Sequence, residues 1–118
     1  MITAAIVETD LVNSNRIKAI LNQEGIDAIQ IFSKKDAFET LEKLRFEYVI
    51  LAHCFSTPTL AVLTEQLRSC WTKHCPKIIF ISQYDNITEI AGKLGTHSNL
   101  KEPLDINELR KILREVGD

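Results

Sequence analysis

Two short polar segments of the sequence carry side chains that could do acid, base or nucleophilic chemistry. Glu8 and Asp10 follow an apolar run, and two carboxylates this close together could act as a general acid and a general base. His53 and Cys54 follow a second apolar run, and a thiol beside an imidazole could be an activated nucleophile. Neighbouring residues on a strand point to opposite faces, however, so these two are poorly placed to share a proton. Because the sequence also contains no glycine-rich phosphate loop, nucleophile elbow or dinucleotide fingerprint, we expect the protein not to be an enzyme.

A third group of reactive side chains, Cys70, His74 and Cys75, is denser but incomplete. Cys70 and His74 are four residues apart, so on a helix they would share one face and could both bind zinc. A zinc site needs a fourth ligand, and the neighbouring sequence offers none. The odd count of three cysteines favours reduced thiols, so we expect neither a metal site nor a redox pair here. Trp71, beside these residues, either covers the core or anchors an interaction.

The composition is that of a globular domain with little attraction for nucleic acid or for a membrane. The 118 residues are 45% hydrophobic and 25% charged, which is typical of one domain, and we expect it to span residues 1–118. Fourteen basic and sixteen acidic residues give a net charge of -2, without the positive field that phosphate backbones attract. No apolar run approaches the roughly 18 residues of a membrane span, and the N-terminus lacks the basic region of a secretory signal. We expect a cytoplasmic protein.

Five apolar runs predict the strands that position these side chains. They cover residues 3–8, 26–32, 48–52, 77–82 and 98–100, and the irregular alternation of the second is typical of an edge strand. Helical periodicity fills the intervals between the strands and the end of the chain. Strands joined by helical crossovers run parallel, and right-handed crossovers onto both faces give a doubly wound, three-layer α/β sandwich. The loops after strands 1, 3, 4 and 5 then meet at one edge, where sheets of this kind bind ligands.

Turn and capping residues mark the ends of the predicted helices. Gly25 and Gly95 suit the left-handed position that follows a helix. The predicted N-caps of helices 2 to 5 are Ser33, Thr57 (before Pro58), Asp85 and Asp105. Helix 2 is expected to turn Phe38, Leu41 and Leu44 toward the core, since they recur at helical spacing.

The order of the elements, the length and the loop punctuation resemble the receiver domain of two-component response regulators over essentially the whole chain. The resemblance implies a flavodoxin-like (CheY-like) five-stranded parallel sheet of order 2-1-3-4-5 with five helices. It also implies a pocket in which three carboxylates hold magnesium, while a hydroxyl and an ammonium stabilise a phosphoryl group carried by an aspartate. At the positions of the two acids after strand 1, this sequence has Glu8 and Thr9, and Asp10 follows directly. Ala52 stands at the phosphoacceptor position and is followed by His53. Ser82 stands at the hydroxyl position and Glu102 at the lysine position, with Lys101 one residue earlier.

Ala52 is the decisive departure from the receiver pattern, because a methyl group cannot accept a phosphoryl group. Without that carboxylate, magnesium would have too few fixed ligands, so we expect its binding to be weak or absent and expect no other cofactor. A shift of one residue would return Lys101 to the lysine site, so that position stays open. The resemblance therefore predicts a degenerate pseudo-receiver that has lost aspartyl phosphorylation.

Receiver domains signal mainly through helix 4, strand 5 and helix 5, which implies the same face here for a protein partner or a homodimer. The contacts carried over to this chain by face are Ile90, Lys93, Asn99, Lys101, Asn107 and Arg110. Our main hypothesis is a phosphorylation-independent signalling module that acts by protein–protein interaction. The alternative is a small-ligand or metal sensor that uses the vacated pocket of Glu8, Asp10, His53 and Ser82. A third hypothesis is an enzyme that uses His53 or Cys54.

Overall fold

A parallel β-sheet forms the centre of the computed structural model, which describes residues 3–116. Its strands are β1 (Thr3–Val7), β2 (Asp27–Ile31), β3 (Tyr48–Ala52), β4 (Lys77–Ser82) and β5 (Ser98–Lys101). Every neighbouring pair is parallel, and the strand order is β2-β1-β3-β4-β5. The predicted sheet order and the edge position of β2 are confirmed. Residues 1, 2, 117 and 118 of the expected domain lie outside the described residues.

The helices cover both faces of the sheet. They are α1 (Leu11–Gln23), α2 (Lys34–Lys43), α3 (Thr57–Cys70), α4 (Ile87–Leu94) and α5 (Ile106–Val116). Alternate residues of a strand point to opposite faces, so Ile6 and Ile50 pack against α1 and α5, whereas Leu51 and Phe80 pack against α2, α3 and α4. The three-layer sandwich is therefore confirmed. In residues 3–116, no helix is long and apolar enough to cross a membrane.

Several of the predicted helix ends are found where the capping residues indicate. Gly25 and Gly95 have φ angles of 76° and 73°, the left-handed conformation that glycine adopts without steric cost. Ser33 Oγ accepts a hydrogen bond from the backbone N–H of Asp36 at 3.1 Å, which caps α2. The Asp105 carboxylate accepts from the backbone N–H of Asn107 at 2.8 Å and caps α5 in the same way.

Two predicted N-caps are wrong. The cap of α3 is Ser56, whose hydroxyl accepts from the Thr59 N–H at 3.3 Å, so Thr57 is the first helical residue. Two adjacent hydroxyl residues can each serve as a cap, and the backbone path selects the first. The N-cap of α4 is Asn86, which makes no side-chain cap bond. The Asp85 carboxylate does not cap the helix and is paired with Lys101 instead.

Leu44 is also not a core residue, contrary to the prediction for helix 2. The helix ends at Lys43, and Leu44 adopts an extended conformation in which its side chain is 53% exposed. Once the backbone leaves the helix, helical spacing no longer directs this side chain inward. Ala37 and Leu41 supply the buried face of α2 instead, with Phe38 half-buried beside them.

The Cys70, His74 and Cys75 group lies at the opposite end of the sheet from the predicted site. α3 ends at Cys70 and His74 lies in the turn beyond it, so the two do not share a helical face. Cys70 is exposed, Cys75 is half-buried, and all three cysteines of the chain are unpaired. The neighbouring Trp71 covers the core, where its Nε1–H donates to the Leu41 carbonyl at 2.9 Å.

Candidate functional site

Glu8, the first residue after β1, is a buried carboxylate at the carboxyl edge of the sheet. Only 6% of the residue is exposed, and its backbone N–H donates to the Ile31 carbonyl at 3.2 Å. Burial raises the pKa of Glu8; the Asp10 backbone N–H and the Asn13 side chain oppose the rise, and the nearby Glu102 carboxylate adds to it. A second acid close to Glu8 therefore makes this edge of the sheet unfavourable for a further negative charge.

Asp10 does not join Glu8 in a carboxylate pair. Its side chain accepts a hydrogen bond from the backbone N–H of Asn13 at 3.0 Å and caps α1. Thr9, between the two acids, is exposed. The general acid and base pair that the sequence could offer is thus divided between a buried carboxylate and a helix cap.

Ala52 and Ser82 occupy the ends of the two central strands, where the resemblance places the phosphoacceptor and the hydroxyl. Ala52 is buried and pairs with Ile81 of β4. Ser82 is 1% exposed, and its Oγ lies 3.0 Å from His53 Nδ1 and accepts from the Tyr84 backbone N–H at 3.2 Å. The hydroxyl that a receiver uses on a phosphoryl group is here tied to a neighbouring imidazole.

His53 is held in its neutral form by this environment. Burial lowers the pKa of His53 below its usual value of 6.5. The buried Ser82 hydroxyl has no other acceptor for its proton among the described residues, so we assign it as the donor to His53 Nδ1, and the imidazole proton then lies on Nε2. The ring also contacts Phe80 and Tyr84, with centroid separations of 5.4 and 5.0 Å. These contacts join the end of β3 to the loop after β4.

The Cys54 thiol and the His53 imidazole have different partners, although the two residues are adjacent in sequence. Its thiol faces the Val7 carbonyl at 3.8 Å, on the β1 side, whereas His53 faces Ser82 of β4. Burial raises the pKa of Cys54 to about 11. The thiol is therefore protonated near neutral pH and is a poor nucleophile.

The segment after β5 places Glu102, not Lys101, toward the pocket. Lys101 is exposed and forms an ion pair with Asp85 in the loop before α4. The Glu102 backbone N–H donates to the Ser82 carbonyl at 2.9 Å, and its carboxylate is close enough to Glu8 to raise the pKa of that residue. Glu102 is thus the residue of this segment whose carboxylate lies near Glu8.

Two cavities lie near the predicted site, and most of the residues predicted for the pocket line neither of them. One, of about 290 Å³, lies between α1 and the β5–α5 loop and is lined by Asn13, Arg16, Ile17, Glu102, Pro103 and Leu104. The other, of about 510 Å³, is a groove between the β3–α3 and β4–α4 loops, which we call the loop groove. It is lined by His53, Cys54, Phe55, Ser56, Thr57, Tyr84, Asn86 and Ile90. Of the residues predicted for a ligand pocket, His53 alone lines the loop groove, and Glu8, Asp10 and Ser82 line neither cavity.

The sequence does not predict Phe55 and Asn86 as groove residues, because they are loop residues without a chemical motif. Their contribution to the groove depends on how the two loops fold toward each other, which no local pattern encodes.

Within residues 3–116, no group of three or more His, Cys, Asp and Glu side chains is arranged to hold a metal ion.

The residues carried over to the α4–β5–α5 face do not all lie on one surface. Lys93 is exposed and pairs with Glu89 on its own helix, and Lys101 is exposed on β5. Ile90 instead faces the loop groove. Arg110 faces α1, where its guanidinium donates to Gln23 Oε1 at 2.7 Å and lies 3.7 Å from Glu24.

The two remaining carried-over residues are Asn99 and Asn107. Asn107 is exposed at the start of α5, and Asn99 is half-buried on β5. Lys93, Asn99, Lys101 and Asn107 are thus the carried-over positions that stay accessible.

The fold is that of response regulator receiver domains. Superposition on the CheY-like receiver domain of a response regulator from Methylobacillus flagellatus gives a TM-score of 0.84 at 24% identity, covering 98% of both chains. A two-component response regulator from Clostridium difficile gives 0.83 at 18% identity, covering 98% of this chain and 95% of that one. The receiver domain of a sensor histidine kinase from Pseudomonas aeruginosa, which has a magnesium ion coordinated in its active site cleft, gives 0.79 at 19% identity, covering 98% of both chains.

One curated protein is similar in sequence, the transcriptional regulatory protein CrdR of Helicobacter pylori. The two are 28% identical over 115 residues, which is 96% of this chain and 54% of CrdR. The chain therefore spans about half the length of this relative. No family model matches the sequence.

Proposed function

We propose that this chain is a pseudo-receiver, a signalling module that acts by protein–protein interaction without being phosphorylated on an aspartate. The observation that carries the proposal is Ala52, which stands buried at the end of β3 where a receiver has its phosphoacceptor. The neighbouring His53 and Cys54 offer no substitute carboxylate. The similarity to a transcriptional regulatory protein is consistent with a role in signalling.

The charges around this position also oppose phosphoryl transfer. Transfer requires cationic groups that neutralise the phosphoryl oxygens. Here Glu102 takes the place of the lysine close to Glu8, while Lys101 is held by Asp85. The Ser82 hydroxyl, which could otherwise bind a phosphoryl oxygen, is engaged by His53.

The same arrangement supports weak or absent magnesium binding. Magnesium prefers an octahedral set of oxygen ligands that includes one or more fixed carboxylates. Glu8 is buried with a raised pKa, and the Asp10 carboxylate is committed to capping α1. The chain therefore offers few of the preorganised oxygen ligands that a receiver supplies.

We also propose that the protein is not an enzyme. The His53–Ser82 pair resembles a nucleophile and its base, but Ser82 is almost fully buried. Such a pair also needs a third group to orient the histidine, and no side chain of the described residues accepts a hydrogen bond from His53 Nε2. The protonated thiol of Cys54 is no better suited to attack a substrate.

The partner surface that we propose is the α4–β5–α5 face, with Lys93, Asn99, Lys101 and Asn107 as its accessible contacts. The occupant is a protein, either a partner or a second copy of the chain, rather than nucleic acid or a membrane. The net charge of -2 supports this choice because it gives no general attraction for phosphate.

The test is phosphorylation with radiolabelled acetyl phosphate in the presence of magnesium. We expect no hydroxylamine-sensitive label on the protein, because hydroxylamine cleaves acyl phosphates. The CheY-like receiver domain of Methylobacillus flagellatus, assayed in parallel, shows whether the conditions support labelling. Hydroxylamine-sensitive label on this chain at a level comparable to that receiver would refute the proposal.

A second candidate function, a small-ligand sensor, is favoured by the loop groove itself. Its volume of about 510 Å³ falls in the range of small-molecule sites, and it contacts α4 directly through Asn86 and Ile90. The sensor was predicted at Glu8, Asp10, His53 and Ser82, and of these the groove includes His53 alone. Because no cluster of metal ligands occurs within residues 3–116, we favour an organic ligand over a metal.

A further inference from the structure

The loop groove has an aromatic wall and an apolar floor. The Tyr84 ring meets the His53 ring edge to face, with centroids 5.0 Å apart and an interplanar angle of 64°. Tyr84 is nevertheless 51% exposed, so much of its ring remains open to a ligand. Phe55 and Ile90 line the same groove and are partly buried against the core. An aromatic ligand could stack on this wall in the offset or edge-to-face geometry that aromatic pairs prefer.

No side chain lining the groove carries a charge near neutral pH. Burial lowers the pKa of His53 and raises that of Cys54, so the imidazole and the thiol are both neutral. The other six lining residues are Phe, Ser, Thr, Tyr, Asn and Ile. The nearest charge in the sequence, on Asp85, is balanced by Lys101. An ionic ligand would lose its hydration without gaining a counter-charge, whereas an uncharged ligand avoids that cost.

Two polar groups of the groove are free to donate hydrogen bonds to a ligand. With Ser82 assigned as the donor to Nδ1, His53 carries its proton on Nε2, for which the described residues provide no acceptor. Asn86 is the N-cap of α4 but makes no side-chain cap bond, so its amide is free as well. Ser56 is different, because its hydroxyl is used within α3 by Thr59. A ligand that presents a hydrogen-bond acceptor can use both of these groups.

We propose that the loop groove binds an uncharged aromatic molecule that carries a carbonyl or ring-nitrogen acceptor. The ring lies against Tyr84, and the acceptor receives hydrogen bonds from His53 Nε2–H and the Asn86 amide. This inference rests on the second candidate function and names its ligand class. It does not depend on whether the chain can be phosphorylated, so it can fail or succeed separately from the pseudo-receiver proposal.

Three probes that share one ring and differ in charge test the ligand class: benzamide, benzoate and benzamidine. Each is titrated into the ¹⁵N-labelled chain while amide chemical shifts are followed. We expect saturable benzamide shifts at residues of the loop groove, with a millimolar dissociation constant, and binding of benzoate and benzamidine at least about tenfold weaker. Shifts that do not saturate, or that centre on another part of the surface, would overturn the proposed site.

Variants of exposed residues separate binding from folding. Tyr84→Ala and Asn86→Ala are each expected to weaken benzamide binding by roughly threefold or more, since each removes one of the proposed contacts. Val62→Ala is the matched control, because Val62 is 61% exposed on α3 and does not line the groove. Equal affinity in all three variants would refute the proposed contacts, and tighter binding of benzoate than benzamide would refute the uncharged ligand class.

Discussion

Replacing Ala52 with aspartate should destabilise the fold near neutral pH, because it creates a pair of buried like charges. The β1–β3 register pairs Val7 with Leu51, so Glu8 and position 52 are the next neighbours along the two strands. Neighbouring residues of adjacent parallel strands point to the same side of the sheet. Both positions are buried, with Glu8 6% and Ala52 3% exposed. The new carboxylate would therefore lie beside Glu8 with little access to water.

The size of the effect follows from the strand spacing. Adjacent strands are about 4.8 Å apart, so the two carboxylates would be separated by roughly 5 Å. At an effective dielectric constant of about 20, two unit charges at that distance repel by about 3 kcal/mol. We expect Ala52→Asp to lower the free energy of unfolding by this order at pH 7, with Glu102 adding to the repulsion.

The destabilisation by Ala52→Asp should increase as the pH rises. Burial already raises the pKa of Glu8 above its usual value of 4.5, so its protonated form favours the folded state. That contribution is fully present below pH 4.5 and is lost as the pH rises through the raised pKa. A second carboxylate raises the pKa further, so the difference between Ala52→Asp and the unaltered chain should grow from about pH 4.5 to about pH 7.5.

Urea unfolding at these two pH values, with and without magnesium, measures the effect. A ligand at about 100 times its dissociation constant stabilises by about 2.7 kcal/mol, so a magnesium ion held by Glu8 and the introduced aspartate would recover most of the loss. The unaltered chain should gain little from magnesium. If Ala52→Asp is as stable as the unaltered chain at pH 7.5, or if magnesium stabilises both chains equally, the reasoning about this edge is refuted.

Two further predictions concern glycine and cysteine positions. Gly95→Ala should lower the free energy of unfolding by about 1 kcal/mol or more, because φ is 73° there and a Cβ would approach Arg68 Nη1 to 2.8 Å. Gly92→Ala should raise the free energy of unfolding by roughly 0.5–1 kcal/mol, since Gly92 is helical and a Cβ there meets nothing within 4 Å. Thermal unfolding of the two variants tests this pair, and equal effects would contradict the conformational argument. Iodoacetamide at about pH 8 should alkylate the exposed Cys70 well before Cys54, whose pKa is about 11. Peptide mass spectrometry over time distinguishes the two sites, and faster labelling of Cys54 would contradict its burial.

The parts of the fold that the sequence predicts most closely are those with the least local ambiguity. β3 and β4 have the predicted bounds because each is an apolar run flanked by polar or turn-forming residues. The predicted caps of α3 and α4 are each one residue from the observed ones. At α3 the residues Ser56 and Thr57 are equally able to cap, and at α4 the capping ability of Asp85 is lost to an ion pair with a distant strand.

In the candidate site, too, the sequence predicts positions along a strand better than contacts between distant residues. Counting along the apolar run places Ala52 at the end of β3, where the structure has it, because the bounds of that strand are unambiguous. The count back from Pro103 leaves Lys101 and Glu102 open, and only the folded loop shows that the Glu102 carboxylate lies near Glu8. The hydrogen bond between His53 and Ser82 joins residues 29 apart in sequence, and it depends on the path of the loop after β3. Long-range contacts of that kind are outside the reach of local patterns.

The contacts made by His53 give this edge of the sheet a different linkage from the one the receiver resemblance implies. In the pattern drawn from receivers, a phosphoryl group at the end of β3 engages a hydroxyl at the end of β4. Here an imidazole beside the end of β3 already engages the Ser82 hydroxyl and contacts the Tyr84 ring in the loop that leads to α4. That connection is made by side chains of the chain itself. Because Asn86 and Ile90 of the α4 region also line the loop groove, a ligand bound there would contact α4 without a phosphoryl group at the strand ends. A receiver-like domain with alanine at position 52 can therefore still be regulated, provided that the regulating signal enters through the loops rather than through Ala52.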